Sequence, residues 1–463
     1  MACRTTMVVY SETHGMRHDL AIIGSGLGGS ITALIAKQMG MDPVLIEKGS
    51  HPRFTIGESA TPQADIALAS LADTYNLPRL KPIARYGTLK EAYPELHCGP
   101  KRGFTYIHHP NIDDELLVAA SSDQFNADSH WNRSDLDAFL VEEVKDAGIP
   151  YYDETDVTIT FGVPWELVSE KCTCSADFLI DATGGANPLK IPQDNFLALR
   201  TNSRVLYSHF RGVIPWGELH GKPQHPYPCH EAALHHIFAG GWMYVLHFDN
   251  GVTSAGFVLD NSRRPTDTWE TLMAEFPYIQ EQFQHAQPTM PIVQTGRIQR
   301  CTTRMVGENW AMLPHAASFI DPLHSAGIAH TLCGIERLMP MLQLSPSDRC
   351  AALQAYQSTT LHEIDILDKL IHGCYLCLDN FELLSHYVML YFSGADFTER
   401  RRREGDPAGF LNSGDKDFCS MVDSYYQQMV DGTIKVSSIA EAIEPWNMVG
   451  LCDPSKQNMY DYA

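Results

Sequence analysis

Two short stretches of the chain are apolar at every position, Leu20-Ala-Ile-Ile23 and Val44-Leu-Ile46. Strands covered on both faces read this way, whereas half-buried strands alternate apolar and polar residues. Between them, Leu27 to Met39 carries apolar residues at helical spacing, so the pattern predicts strand, helix, strand. Phe178-Leu-Ile-Asp181 reads as a further buried strand running into the turn Gly184-Gly185. Gly103 to Ile107 and Thr155 to Phe161 read as strands. Thr61 to Tyr75 and Ser325 to Leu342 read as helices. Asn132-Arg-Ser-Asp135 opens a helix whose expected cap is Ser134. From Val205 to Leu259, β-rich segments alternate with Pro and Gly. Beyond Ser347 the pattern is almost wholly helical up to Arg403, and the last ~25 residues read as irregular.

The resulting expectation is an α/β fold. A Rossmann-like domain is interleaved with a β-sheet substrate domain, and a largely helical region follows. Residues 1–18 are expected to be a disordered extension. The nucleotide domain takes 19–203, the sheet domain 204–295, a return segment 296–345, and the helical region 346–463. Met16, three residues ahead of the expected first strand, is also a candidate natural start.

Composition narrows the function. A chain of 463 residues with 44% hydrophobic and 19% charged residues can bury a large core. Its net charge of −22 argues against nucleic acid or an acidic membrane surface as partner. No apolar run approaches the ~18 residues of a membrane span, and Met1 to His18 lacks the apolar core of an export signal. Twelve cysteines without a disulfide frame fit reduced thiols and a cytoplasmic setting. Cys172-x-Cys174, Cys374-x-x-Cys377 and the histidines at 108–109, 225, 230 and 235–236 match no metal-ligand frame. No metal site is expected.

The chemistry starts at Gly24-x-Gly26-x-x-Gly29, which joins the first strand to the first helix. Gly24 permits the turn, Gly26 lets a pyrophosphate approach the backbone, and Gly29 lets helix and strand pack closely. Glu47, 21 residues beyond Gly26, ends the second strand where an acid can bond a ribose hydroxyl. Lys48 follows it and is counted with the cofactor set. Such a site could hold NAD or FAD. FAD is favoured by four features. The site is N-terminal, and the second strand leads on to Gly57-Glu58-Ser59. Arg133 opens a later helix. The strand ending at Asp181 is followed far downstream by Phe319-Ile-Asp321-Pro-Leu-His-Ser-Ala-Gly327-Ile328, where a helix start can face the flavin edge. With one dinucleotide fold and no second docking motif, reduction by a separate flavin reductase is expected.

Four motifs add a resemblance. Gly57-Glu-Ser-Ala-Thr-Pro62, Lys101-Arg-Gly-Phe-Thr-Tyr106, Gly241-Trp-Met-Tyr-Val-Leu-His247 and Asp321-Pro-Leu-His-Ser-Ala-Gly327 resemble segments of the flavin-dependent halogenases. These form the tryptophan halogenase-like branch of the hydroxybenzoate hydroxylase-type flavoproteins. The likeness runs roughly from Asp19 to Arg403. It implies reduced FAD, oxygen and a halide (chloride or bromide). It implies an aromatic substrate, free or bound to a carrier or peptide, and the lysine Lys101 as guide of the oxidised halogen. It also implies Glu58 near the flavin, His324 as a base facing the pocket, and Ser325, Ala326 and Gly327 around the halide. Four positions depart from the family pattern. Tyr244 and His247 replace a Trp and a Pro, and Pro314-His315 replaces a Gly-Asp pair. In tryptophan-specific members Glu and Thr stand where this chain has His324 and Ala326. Hydroxylation of a peptide or protein side chain, and an inactive flavoprotein scaffold, remain alternatives.

Overall fold

The computed structural model describes residues 15–119, 121–406, 409–453, 455, 456 and 458. Two large sheets organise it. The first runs in the order Val306–Gly307, Trp310–Met312, Thr173–Asp181, β1 (Met16–Ile23), β2 (Pro43–Ile46), Tyr151–Tyr152. Its central neighbours pair in parallel, with Ile22 beside both Ile180 and Leu45. Leu20 to Ile22 and Val44 to Ile46 are all 0% exposed. Their unbroken apolar runs thus mark a sheet covered on both faces.

Helix α1 (Leu27–Gln38) crosses from β1 to β2. The helices α2 (Pro62–Thr74), α3 (Tyr86–Ala92) and α4 (Arg133–Asp146) follow. Interspersed with them are β3 (Cys98–Lys101), β4 (Gly103–His108), β5 (Glu115–Ala119) and β6 (Asp128–Trp131). β3 and β6 form a two-stranded ladder. The second large sheet is mostly antiparallel. It joins Ser203–Arg211, Val252–Asp260, Gly241–His247 and Ala233–Phe238 to β4 and β5. It therefore draws on residues 103–119 as well as on 203–294, and is not contained in one continuous segment. Helices Pro346–Leu376 and Phe381–Arg403 pack on the same hydrophobic core as the nucleotide sheet.

Three local expectations are corrected. β1 starts at Met16, not Asp19, because Met16 to His18 pair with Cys174 to Ala176 even though Arg17 and His18 are polar. Residues 1–14 lie outside the described residues. The cap of α4 is Asn132, whose side chain accepts from the Ser134 amide, so Ser134 is already inside the first turn. The tail is not wholly irregular, since Val436–Ile443 is helical. No described helix is long and apolar enough to cross a membrane. No cluster of three or more metal-binding side chains occurs among the described residues.

Candidate active site

The turn from β1 to α1 is built around its glycines. Gly24 has φ +101°, which a side chain would oppose. A Cβ on Gly29 would lie 1.8 Å from the Gly24 carbonyl oxygen, so only glycine lets helix and turn approach this closely. Gly26 is the N-cap of α1, with no side-chain cap and no acid in the first turn. The helix therefore offers unclaimed amides and its positive end to an anion. Glu47 closes the cradle. Its Oε2 accepts from the Ser25 amide at 2.9 Å and its Oε1 from the Gly49 amide at 2.9 Å. Burial raises the pKa of this carboxyl, but those amides and Arg53 outweigh it and hold the pKa below its ordinary value. Arg133 forms a bidentate pair with Asp137 and donates to the Gly57 carbonyl at 2.8 Å. This fixes the Gly57-Glu58 turn beside Gly26. The uncapped helix end and the acid at the end of β2 fit the pyrophosphate and ribose of FAD.

A second helix start faces the same region. Helix Ala326–Met341 begins after Ser325, which is left-handed at φ +53°, again with no side-chain cap. Gly327 is exposed, and a Cβ there would meet nothing within 4 Å, so open space lies before the amides of Ala326, Gly327 and Ile328. The two helices pack together: a Cβ on Gly28 of α1 would lie 3.2 Å from Thr331 Cγ2. Ser325 Oγ donates to Ser59 Oγ at 3.1 Å and ties this start to the Gly57–Ala60 turn.

Lys101 ends β3 on the other side of that turn. It is 0% exposed, and its Nζ donates to the Ala60 carbonyl at 2.5 Å. The ammonium lies 4.1 Å from the centre of the Phe104 ring. An aromatic shell continues outward: His235 stacks on Tyr106 at 4.9 Å and meets Trp242 at 5.0 Å, while Phe392 meets Phe104 at 5.2 Å. Burial pulls the Lys101 pKa down to about 8, against the upward pull of Asp128, Asp65 and Glu399. Those three acids are buried too, and sequence reasoning missed them. Asp128 pairs with Lys101 across the β3–β6 ladder, and Asp65 comes from the first turn of α2. A separate cavity of ≈ 680 Å³ opens at the far end of β4, around His108, Glu115 and Phe381. It includes none of the lysine's neighbours and takes no part in this site.

Several expected site residues are used differently. Lys48 points outward, 2.9 Å from Asp156, with its side chain 76% exposed. Glu58 turns away from Lys101; His209 Nε2 lies 2.8 Å from its Oε1, and Ser254 Oγ donates to its Oε2 at 2.6 Å. Asp181 caps its own turn through the Thr183 amide and hydroxyl, leaving Oδ2 buried and unpartnered. Asp321 accepts from Ser203, Tyr375 and the Leu323 amide, and burial lifts its pKa to about 7. It anchors the turn before Ser325 through both of its carboxyl oxygens. His324 does not face an open pocket. It is 0% exposed and stacks on Tyr391 at 4.2 Å, and burial lowers its pKa to about 3. A neutral imidazole in that position lines the wall behind Phe392. His315, in place of the family's acid, sits against α1. A Cβ on Gly28 would lie 2.8 Å from its Cε1.

The model of the family described as tryptophan halogenase matches residues 113–381. Monodechloroaminopyrrolnitrin halogenase PrnC from Pseudomonas fluorescens is 29% identical, over 94% of this chain and 84% of its own. Tetracycline 7-halogenase from Kitasatospora aureofaciens is 28% identical, over 82% of this chain and 74% of its own. Among solved structures, halogenase PltM in complex with phloroglucinol and FAD superposes with a TM-score of 0.87 at 22% identity, over 96% of this chain and 100% of that one.

Proposed function

The chain belongs to the tryptophan halogenase family, and we propose that it halogenates a compact, electron-rich aromatic unit, with Lys101 guiding the oxidised halogen. FAD binds at the Gly24–Gly29 turn and, when reduced by a partner reductase, supplies the electrons with which oxygen converts a halide into hypohalous acid. Every other step falls to side chains and amides of this chain. The amides at Ala326 and Gly327 hold the halide before an open helix start. The Gly57–Ala60 turn separates that start from Lys101 and excludes bulk water. Lys101 donates a hydrogen bond to the oxidant's oxygen, which orients the halogen towards the ring. When the carbon–halogen bond forms, the oxygen–halogen bond breaks and the ring's proton leaves with the hydroxide as water.

The observation that carries this reading is the placement of Lys101. It is a fully buried ammonium that donates to the Ala60 carbonyl, set in aromatic walls one turn away from the cofactor cradle. Aromatic walls of this kind would stack against a ring of phenol, pyrrole or indole size, free or presented at the end of a carrier or peptide arm. The test is product mass spectrometry with an electron-rich arene panel, a flavin reductase and either bromide or no halide. A bromide-dependent isotope doublet supports halogenation. Addition of one oxygen atom regardless of halide would assign hydroxylation instead.

A further inference from the structure

Lys101 shares its chamber with two carboxyl groups that have no donor. Asp65 and Asp128 are 3% and 1% exposed, and all four of their oxygens lack an N–H or O–H partner among the described residues. They nevertheless meet each other side by side. Two bare carboxylates in a dry interior suffer both desolvation and mutual repulsion. A hydrogen bond between them needs a proton on one of the two. We infer that Asp65 and Asp128 form a proton-sharing carboxyl pair carrying one negative charge, and that this charge keeps Lys101 protonated in its closed chamber. The inference rests on the reading of Lys101 as the halogen-guiding group.

The surroundings support one charge and not two. Burial raises the pKa of both carboxyls, that of Asp128 to about 6 and that of Asp65 well above the ordinary carboxylate range. Asp128, which pairs with Lys101 across the β3–β6 ladder, is placed to face the lysine as the anion, and Asp65, on α2, to hold the proton. Burial and Asp396 push the pKa of Glu399, from the helix Phe381–Arg403, well above the ordinary carboxylate range, which opposes a second charge here. Burial lowers His130 and His235 to about 3, so neither adds a cation. Arg85 acts on both members of the pair, and Arg403 on Asp128 and Glu399. These are positioning residues: they set the protonation of Lys101.

An asparagine at 65 imitates the protonated partner, because its amide donates to Asp128. The pair therefore predicts unequal variants. In the FAD-loaded, full-length enzyme, wild type should lose halogenated product per oxygen consumed as pH passes about 8 and Lys101 deprotonates. Asp65→Asn should keep that limb in place, whatever the height of its plateau. Asp65→Asn/Asp128→Asn should bring it down by about one to three pH units, the usual effect of a nearby opposite charge. At pH 8, where half of the wild-type lysine is still protonated, that is a loss of about fivefold for one unit and about five-hundredfold for three. The urea midpoint gives a readout independent of activity. Because both folded pKa values lie above the unfolded ones, the wild type should lose stability as pH rises from about 4 to about 6 and beyond, and the double variant should lose less. A limb displaced as far in Asp65→Asn as in the double variant, or an unchanged stability slope in the double variant, would overturn the shared proton. If the double variant does not fold, Asp65→Leu replaces it: it removes the donor, so its limb should move while that of Asp65→Asn stays. If Lys101→Ala makes product like wild type while the stability slopes behave as expected, the carboxyl pair stands and the reading of Lys101 falls.

Discussion

Gly26 and Gly29 sit three residues apart in one turn, yet the structure separates what each does. Gly26 has φ −68° and ψ −177°, open to any residue. A Cβ there would stand 3.7 Å from Arg133 Nη2 and Asp137 Oδ2, an ordinary contact. Gly26→Ala should therefore fold as wild type does, while its methyl group stands where the pyrophosphate approaches the α1 amides. Losing one charged hydrogen bond costs about 1.5–3 kcal/mol. That weakens FAD by about ten- to a hundredfold, at 1.4 kcal/mol per decade. With FAD at a hundred times the wild-type Kd, the ligand stabilises wild type by about 2.7 kcal/mol. A hundredfold weaker variant gains only about 0.4 kcal/mol. Gly29→Ala is different, because its Cβ would lie 1.8 Å from a backbone oxygen that cannot swing aside. That variant should lose about 1–3 kcal/mol or more before any ligand is added. The assay is urea unfolding of both variants with and without FAD, beside FAD titration by fluorescence. Wild-type FAD affinity in Gly26→Ala would refute the placement of the pyrophosphate. Wild-type stability in Gly29→Ala would refute the close pass of helix over turn.

Three further outcomes are expected. Asp321 has its folded pKa raised to about 7, so the folded protein holds a proton there that the unfolded chain releases near pH 4. Stability is then lost as pH rises through that window, and Asp321→Asn should flatten the urea-midpoint slope by up to about 1.4 kcal/mol per pH unit; an unaltered slope would count against a buried, protonated Asp321. Tyr375→Phe removes the hydroxyl that accepts from Trp242 and donates to Asp321, and should cost about 1–3 kcal/mol in urea unfolding while FAD affinity holds, so a neutral result would argue against that network. Stopped-flow absorbance should show slow bleaching of bound FAD by NADH alone and fast bleaching once a flavin reductase is added, whereas fast direct reduction would exclude a separate reductase.

Much of this site could be read along the chain because its parts are local. The turn, α1 and the acid of the cradle lie between Gly24 and Glu47, and each residue's role follows from its neighbours in sequence. Lys101 stood out through its motif, but its chamber is assembled from β3, β4, the strand Ala233–Phe238 and the helix Phe381–Arg403. No spacing rule links Asp65 with Asp128. One is a first-turn helix acid and the other a strand residue, and only the β3–β6 ladder brings Asp128 to the lysine. Lys48 and Glu47 are sequence neighbours, but successive residues leaving a strand point opposite ways, so only Glu47 enters the cradle. His324 was misplaced for a similar reason. The left-handed Ser325 that follows it turns the chain, and the imidazole ends against Tyr391 from a helix more than sixty residues on.

The most direct measurement is product formed per oxygen consumed by Lys101→Ala, with bromide and reduced FAD supplied. The lysine lies beyond the Gly57–Ala60 turn from the cradle, so the variant should bind FAD and consume oxygen as wild type does. Its brominated product should fall by two or more orders of magnitude, roughly the 3 kcal/mol that one essential polar group contributes to a transition state. Equal coupling of oxygen to brominated product in wild type and variant would contradict the role of Lys101 at the centre of this mechanism.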